Sequence, residues 1–182
     1  TEGTLLNSYP RISFSISVTG GKSMRYRIET KDPIRIVGVR ARLQEDQEQN
    51  FKIVPAFWDT TLKSNLFSEI CRLTNQNPYG ILGVTTYKNP KDIYYYIAAA
   101  TDVSVPKGMV EFNIPSATWV IFESDGHFQD SIQTIFKRFL TEWLPFSGYD
   151  YAELPDIEVY PISDPKLKGG HSEVWIAVKK AK

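Results

Sequence analysis

Apolar side chains return every third or fourth position along two stretches of the chain and every second position along much of the rest. That change of period sets out the architecture. In the first stretch Val54, Trp58, Leu62, Leu66, Ile70 and Leu73 recur at helical spacing, and Phe57 widens the apolar stripe. Pro55 stands where a helix can begin, and Asn75-Gln76-Asn77-Pro78 supplies turn formers and a proline that stop it. The spacing therefore predicts a helix over roughly 55 to 74. In the second stretch Phe128, Ile132, Ile135, Phe136, Phe139, Leu140 and Trp143 repeat the pattern between Asp125-Gly126 and Pro145 with Gly148. Each helix presents one apolar face.

Around these helices lie runs rich in Val, Ile, Tyr and Trp, bounded by Gly, Pro and Asn, which predict strands over 34–43, 81–87, 93–101, 118–123, 157–162 and 174–179. The order strand, helix, strand, strand thus occurs twice. Tyr96-Ile97-Ala98-Ala99 near the end of the first set is echoed by Trp175-Ile176-Ala177-Val178 near the end of the second. The expected fold class is α+β, with duplicated β-α-β-β units forming a curved antiparallel sheet and two long helices on one face. A crease along the pseudo-twofold axis is the natural ligand pocket. Ahead of this unit Ile12, Phe14, Ile16 and Val18 alternate with serines, and Gly20-Gly21 leads to a second alternation of Met24, Tyr26 and Ile28. Residues 1–30 therefore read as an N-terminal hairpin or interdomain linker, and 31–182 as the duplicated domain.

Composition narrows the function classes. The 182 residues carry 21 Lys and Arg against 21 Asp and Glu, so the basic excess of a self-sufficient nucleic-acid binder is absent. The single cysteine, Cys71, cannot close an internal disulfide and fits a reducing, cytoplasmic setting. No apolar run reaches membrane-spanning length, and the start Thr1-Glu2-Gly3 reads as a cut or processing scar rather than a signal peptide. His127 and His171 fall in predicted loops with no ligand-type neighbours, so neither a metal nor a cofactor is expected. Gly20-Gly21 and Gly169-Gly170 read as turns rather than phosphate cradles, and no nucleophile motif is present. Lys179, Lys180 and Lys182 read as a solvated terminus.

The candidate chemistry is a carboxylate among aromatics. Glu158 lies between Ile157 and Val159 in a predicted strand, so it faces the same side as Tyr160. Spacing leaves two readings open: a solvent-facing glutamate, or one turned toward the helices. In the second case lost hydration raises its pKa, and an organic cation would restore the charged form. Trp58, Tyr96, Trp119, Tyr160 and Trp175 are the candidate pocket walls, whose π faces attract cations. Trp143, on a helix stripe, reads as plain core.

A series of segments, in order along nearly the whole chain, resembles one family. Tyr9-Pro10-Arg11-Ile12-Ser13-Phe14, Gly20-Gly21 and Met24-Arg25-Tyr26-Arg27-Ile28 resemble the junction where AraC-type helix-turn-helix regulators pass into a GyrI-like effector-binding domain. Arg35-Ile36-Val37-Gly38-Val39 looks like that domain's first strand, and Ile53-Val54-Pro55-Ala56-Phe57-Trp58 like the start of its first helix. Ile114-Pro115-Ser116-Ala117-Thr118-Trp119 resembles its central proline turn, and Glu142-Trp143-Leu144-Pro145 with Ser147-Gly148-Tyr149 the end of its second helix. Glu158-Val159-Tyr160 and Glu173-Val174-Trp175-Ile176 resemble its last two strands.

The resemblance implies a bacterial sensor of small amphipathic molecules, aromatic or cationic, with a pocket glutamate that falls on Glu158. It implies no membrane contact, and DNA contact only through a helix-turn-helix part that this chain lacks; a homodimer is compatible with it. Trp119 departs from the tyrosine of many relatives, so ligand preference does not transfer. The alternative is a GyrI-like hydrolase of cyclopropane-containing electrophiles, with Glu158 as general base. The junction-like segment from Tyr9 to Ile28 favours the sensor, because a free-standing enzyme needs no such junction. A gyrase-binding module is a third class, for which no residue speaks.

Overall fold

The computed structural model describes residues 24–86, 91–124, 134–162 and 172–182. The 12–18 arm of the expected hairpin lies outside the described residues. Strand β1 (Tyr26–Lys31) and strand β2 (Ile34–Arg42) lead into helices α1 (Gln47–Leu62) and α2 (Asn65–Leu73). Then come β3 (Ile81–Thr86), β4 (Tyr94–Ala100), β5 (Val110–Ile114) and β6 (Ala117–Ser124). Helical residues 134–138 continue through a π-helical turn, Phe139–Trp143, into α3 (Leu144–Ser147). Strands β7 (Tyr149–Tyr151), β8 (Asp156–Tyr160) and β9 (Ser172–Lys180) close the chain.

The nine strands form one sheet in the order β1-β6-β9-β8-β3-β4-β2-β5, with β7 beside β9. Every pairing is antiparallel. The centre of that order is symmetric: β6-β9-β8 repeats β2-β4-β3, and the two triplets meet where β8 pairs with β3. The echoing segments Tyr96–Ala99 and Trp175–Val178 lie on β4 and β9, the middle strands of their triplets. This is the duplicated α+β architecture expected from the period of the sequence. β1 is an edge strand of the same sheet, paired with β6 from Tyr26↔Phe122 to Lys31↔Ala117, so residue 30 lies inside a strand.

Chain connectivity forces the sheet to curl. Strands β5 and β6 stand six places apart in the sheet, which for a flat sheet is roughly 29 Å. The link between them is only Pro115-Ser116, and three extended steps reach about 11 Å. Asp32-Pro33 sets the same limit on β1 and β2, which also stand six places apart. The two ends of the sheet are therefore drawn together, and the inner face seals on itself. Ile36, Leu82, Ala98, Ile114, Trp119 and Ile121 pack there with no solvent exposure. The outer face is covered by the helices. Trp58, Ile70 and Leu73 pack over β2, β3 and β4, while Ile135, Phe139 and Trp143 pack over β6 and β9.

The helices depart from the sequence reading in instructive ways. The single helix expected over 55 to 74 is two, and it begins earlier, because the Asp46 side chain accepts the Glu48 N–H at 2.9 Å and caps the first turn. Pro55 is inside α1 rather than at its start. The carbonyl it cannot serve belongs to Phe51, an exposed residue. In the second helix Pro145 lies within α3 instead of ending it. The π-helical turn just before it, closed by the Leu144 N–H on the Phe139 carbonyl, widens the backbone where the proline removes a donor. Gly148, at φ 77°, supplies the left-handed cap. Strands β5 and β7 were not foreseen, although Val110, Phe112 and Ile114 alternate.

Phe139 anchors the second helix: it is fully buried, stacked on Trp143 at 5.7 Å and edge-on to Phe122 at 6.1 Å. Phe139→Ala is expected to cost about 3–5 kcal/mol of unfolding free energy. Urea denaturation measures it, and a loss below about 1 kcal/mol would contradict this packing.

Candidate functional site

Glu158 occupies the seam between the two triplets. On β8 it stands opposite Gly83 of β3 and opposite Val174 of β9, and it points to the helix-covered face. Its Oε1 accepts two hydrogen bonds, from the Tyr95 hydroxyl at 2.6 Å and the Tyr160 hydroxyl at 2.8 Å. The Tyr95 oxygen in turn accepts the indole N–H of Trp58 at 2.9 Å. Trp58 meets the Tyr160 ring edge-on, with centroids 5.5 Å apart, and the Tyr95 ring at 6.4 Å. One residue from β4 and one from β8 thus donate directly to one carboxylate oxygen, and Trp58 of α1 is joined to it through Tyr95. The other oxygen, Oε2, takes no hydrogen bond from the described residues.

Gly83 makes this convergence sterically feasible. A Cβ at that position would collide with the Tyr95 hydroxyl and stand 2.6 Å from Glu158 Oε1. Glycine inside a strand commonly marks such a close approach. Tyr95 and Tyr160 are buried and Glu158 is half-buried.

Lost hydration pushes the Glu158 carboxyl above its ordinary value, and the two phenol donors offset part of that rise by favouring the charged form. Burial and the adjacent carboxylate push both phenols well above theirs, so they remain hydrogen-bond donors at neutral pH.

Of the six residues singled out by sequence, the structure brings together three: Glu158, Tyr160 and Trp58. Trp119, Tyr96 and Trp175 lie on the opposite, inner face of the sheet, packed in its sealed core. The reason is strand alternation, since Trp175 stands opposite Ile157 rather than Glu158. Trp119 is fully buried and its Nε1 has no hydrogen-bond partner among the described residues. Two members of the cluster escaped the sequence reading. Tyr95 sits in a run of three tyrosines on a strand buried on both faces, so periodicity could not tell which of them turns toward the helices. Gly83 carried a legible signal, a glycine within a strand. Trp143 is core, as its stripe suggested. His127 and His171 lie outside the described residues. Among the described residues no three His, Cys, Asp or Glu side chains are grouped to hold a metal.

A carboxyl whose pKa rises on folding binds its proton more tightly in the native chain. Its contribution to stability is complete below the unfolded value and is lost as pH climbs through the native one. The stability difference between the protein and Glu158→Gln is accordingly expected to fall as pH rises above 4.5, the ordinary value. Urea titrations across pH check this, and a difference independent of pH would show that Glu158 is not perturbed. Tyr95→Phe, which removes the hydroxyl that accepts the Trp58 N–H and donates to Glu158, is expected to cost about 1–3 kcal/mol by the same measurement.

A family profile described as "Cass2: Integron-associated effector binding protein" matches residues 27–178. Solved structures share the fold. SAV2435 bound to tetraphenylphosphonium aligns with a TM-score of 0.74 and 20% identity over 86% of this chain and 94% of its own. An integron cassette protein from the mobile metagenome of Vibrio cholerae aligns at 0.58 and 15% identity, over 85% and 95% of the two chains. The EcmrR C-terminal domain aligns at 0.53 and 16% identity, over 87% and 99%. No curated protein matches. Among the described residues no helix is long and apolar enough to cross a membrane.

Proposed function

The chain belongs to the family of integron-associated effector-binding proteins, and we propose that its effector is a small aromatic or otherwise amphipathic organic cation received at Glu158. The observation that carries this reading is a half-buried carboxylate held, among the described residues, by neutral donors alone, with one oxygen unengaged by them. Two phenols orient the negative charge without cancelling it. A cation with apolar bulk would supply the missing charge while displacing water from the seam. The faces of Trp58, Tyr95 and Tyr160 add attraction of about 0.5 to 2 kcal/mol each, depending on desolvation. The tetraphenylphosphonium bound by SAV2435, a protein of the same fold, is of this chemical class.

In the finer reading, the effector domain serves an AraC-type transcription regulator whose helix-turn-helix part makes the DNA contact. Its support is the resemblance of the Tyr9 to Ile28 segment to the junction in such regulators. EcmrR, whose C-terminal domain shares the fold, has been seen in complex with DNA. Sensing requires that the cation bind two states of the regulator with different affinity, because equal affinity shifts no equilibrium.

A thermal-shift titration with tetraphenylphosphonium tests the reading. At about one hundred times its dissociation constant the cation stabilises by roughly 2.7 kcal/mol. Glu158→Gln is expected to weaken the cation about tenfold or more and to leave a neutral aromatic of similar shape unaffected. Equal loss for both ligands, or no loss, removes Glu158 from the role of charge partner.

A further inference from the structure

The hydrogen bonds at Glu158 have a fixed direction, and that direction limits what the carboxylate can offer. An indole N–H only donates, so Trp58 must give its hydrogen to the Tyr95 oxygen. The Tyr95 hydroxyl proton is then left to point at Glu158 Oε1, 2.6 Å away. Tyr160 supplies a second proton to the same oxygen at 2.8 Å. A carboxylate oxygen has two lone-pair positions, so Oε1 is filled and, among the described residues, Oε2 alone is open. Guanidinium and amidinium groups bind carboxylates best as a fork, one N–H to each oxygen. A quaternary ammonium or phosphonium has no N–H and needs only proximity to the charge.

Resting on the reading of Glu158 as the cation's partner, we propose that Tyr95 and Tyr160 are specificity-determining residues. By filling Oε1 they make Glu158 a one-oxygen acceptor that favours onium cations over forked amidinium or guanidinium ones. Trp58 and Gly83 act as positioning residues. The first aims the Tyr95 hydroxyl, and the second leaves the space in which that hydroxyl meets the carboxylate. The four residues come from α1, β3, β4 and β8, so the selectivity belongs to the assembled seam rather than to any one strand.

The test compares two single-ring cations, benzyltrimethylammonium and benzamidinium, by isothermal titration calorimetry on the protein and its variants. The wild-type protein is expected to bind benzyltrimethylammonium about tenfold more tightly. Tyr95→Phe combined with Tyr160→Phe should move the ratio about tenfold toward benzamidinium, because Oε1 is released for the fork. Gly83→Ala, which displaces the Tyr95 hydroxyl, should move it the same way to a smaller extent. A purely structural role would weaken both cations together and leave the ratio in place, so an unchanged ratio in folded variants overturns the proposal. A wild-type preference for benzamidinium overturns it without any variant, which keeps the test valid where a substitution prevents folding. Binding of both cations that is indifferent to Glu158→Gln marks instead the failure of the cation reading itself. Absence of binding by either cation defeats both.

Discussion

Two connections of two residues each, Asp32-Pro33 and Pro115-Ser116, tie together strands that stand six places apart in the sheet. A flat sheet could not satisfy them, so the ends are pulled toward one another and the inner face becomes a core closed by the sheet itself. Everything else is arranged around that closure. The helices have only the outer face to cover, one group of them over each half of the doubled strand pattern. Where the two triplets abut, at the β3–β8 pairing, Trp58 of α1 lies in one packed cluster with Ile81 of β3 and Tyr160 of β8. At that seam a polar side chain, Glu158, is half-buried on the helix-covered face.

Glu158 sits at this seam, and its chemistry follows from incomplete shelter. Full burial without a counter-charge would be prohibitive for an ionised carboxylate, and full exposure would leave it an ordinary surface group. Here two phenol donors hold one oxygen, lost hydration pushes the carboxyl up, and the second oxygen takes no hydrogen bond from the described residues. The Trp58 indole, reaching down from α1, links the helix to the carboxylate through Tyr95. The position of the carboxylate and the seating of α1 are therefore physically connected.

Much of this was legible along the chain. The alternation of periods two and 3.6 depends only on which face of each element meets the core. The repeated order of elements, the helices on one face and the doubled sheet could therefore be read from it, and the echo of Tyr96–Ala99 in Trp175–Val178 fell on matching strands. The pairing of Glu158 with Tyr160 on one side of β8 was likewise a consequence of strand geometry. Prolines misled, because Pro55 and Pro145 were expected at helix ends and both lie inside helical segments, Pro145 directly after a π-helical turn.

What the sequence determined by itself was therefore the local periodicity, the duplicated plan and the presence of an acid beside aromatics. What only the tertiary structure decided was which face of the sheet each aromatic occupies. Strands buried on both sides carry no contrast between polar and apolar positions, so nothing along 94–100 distinguishes Tyr95 from Tyr96. Closure of the sheet through the two short links sets that difference, sending Trp119, Tyr96 and Trp175 into the sealed interior. Tyr95 goes instead to the carboxylate, in the space that Gly83 leaves open.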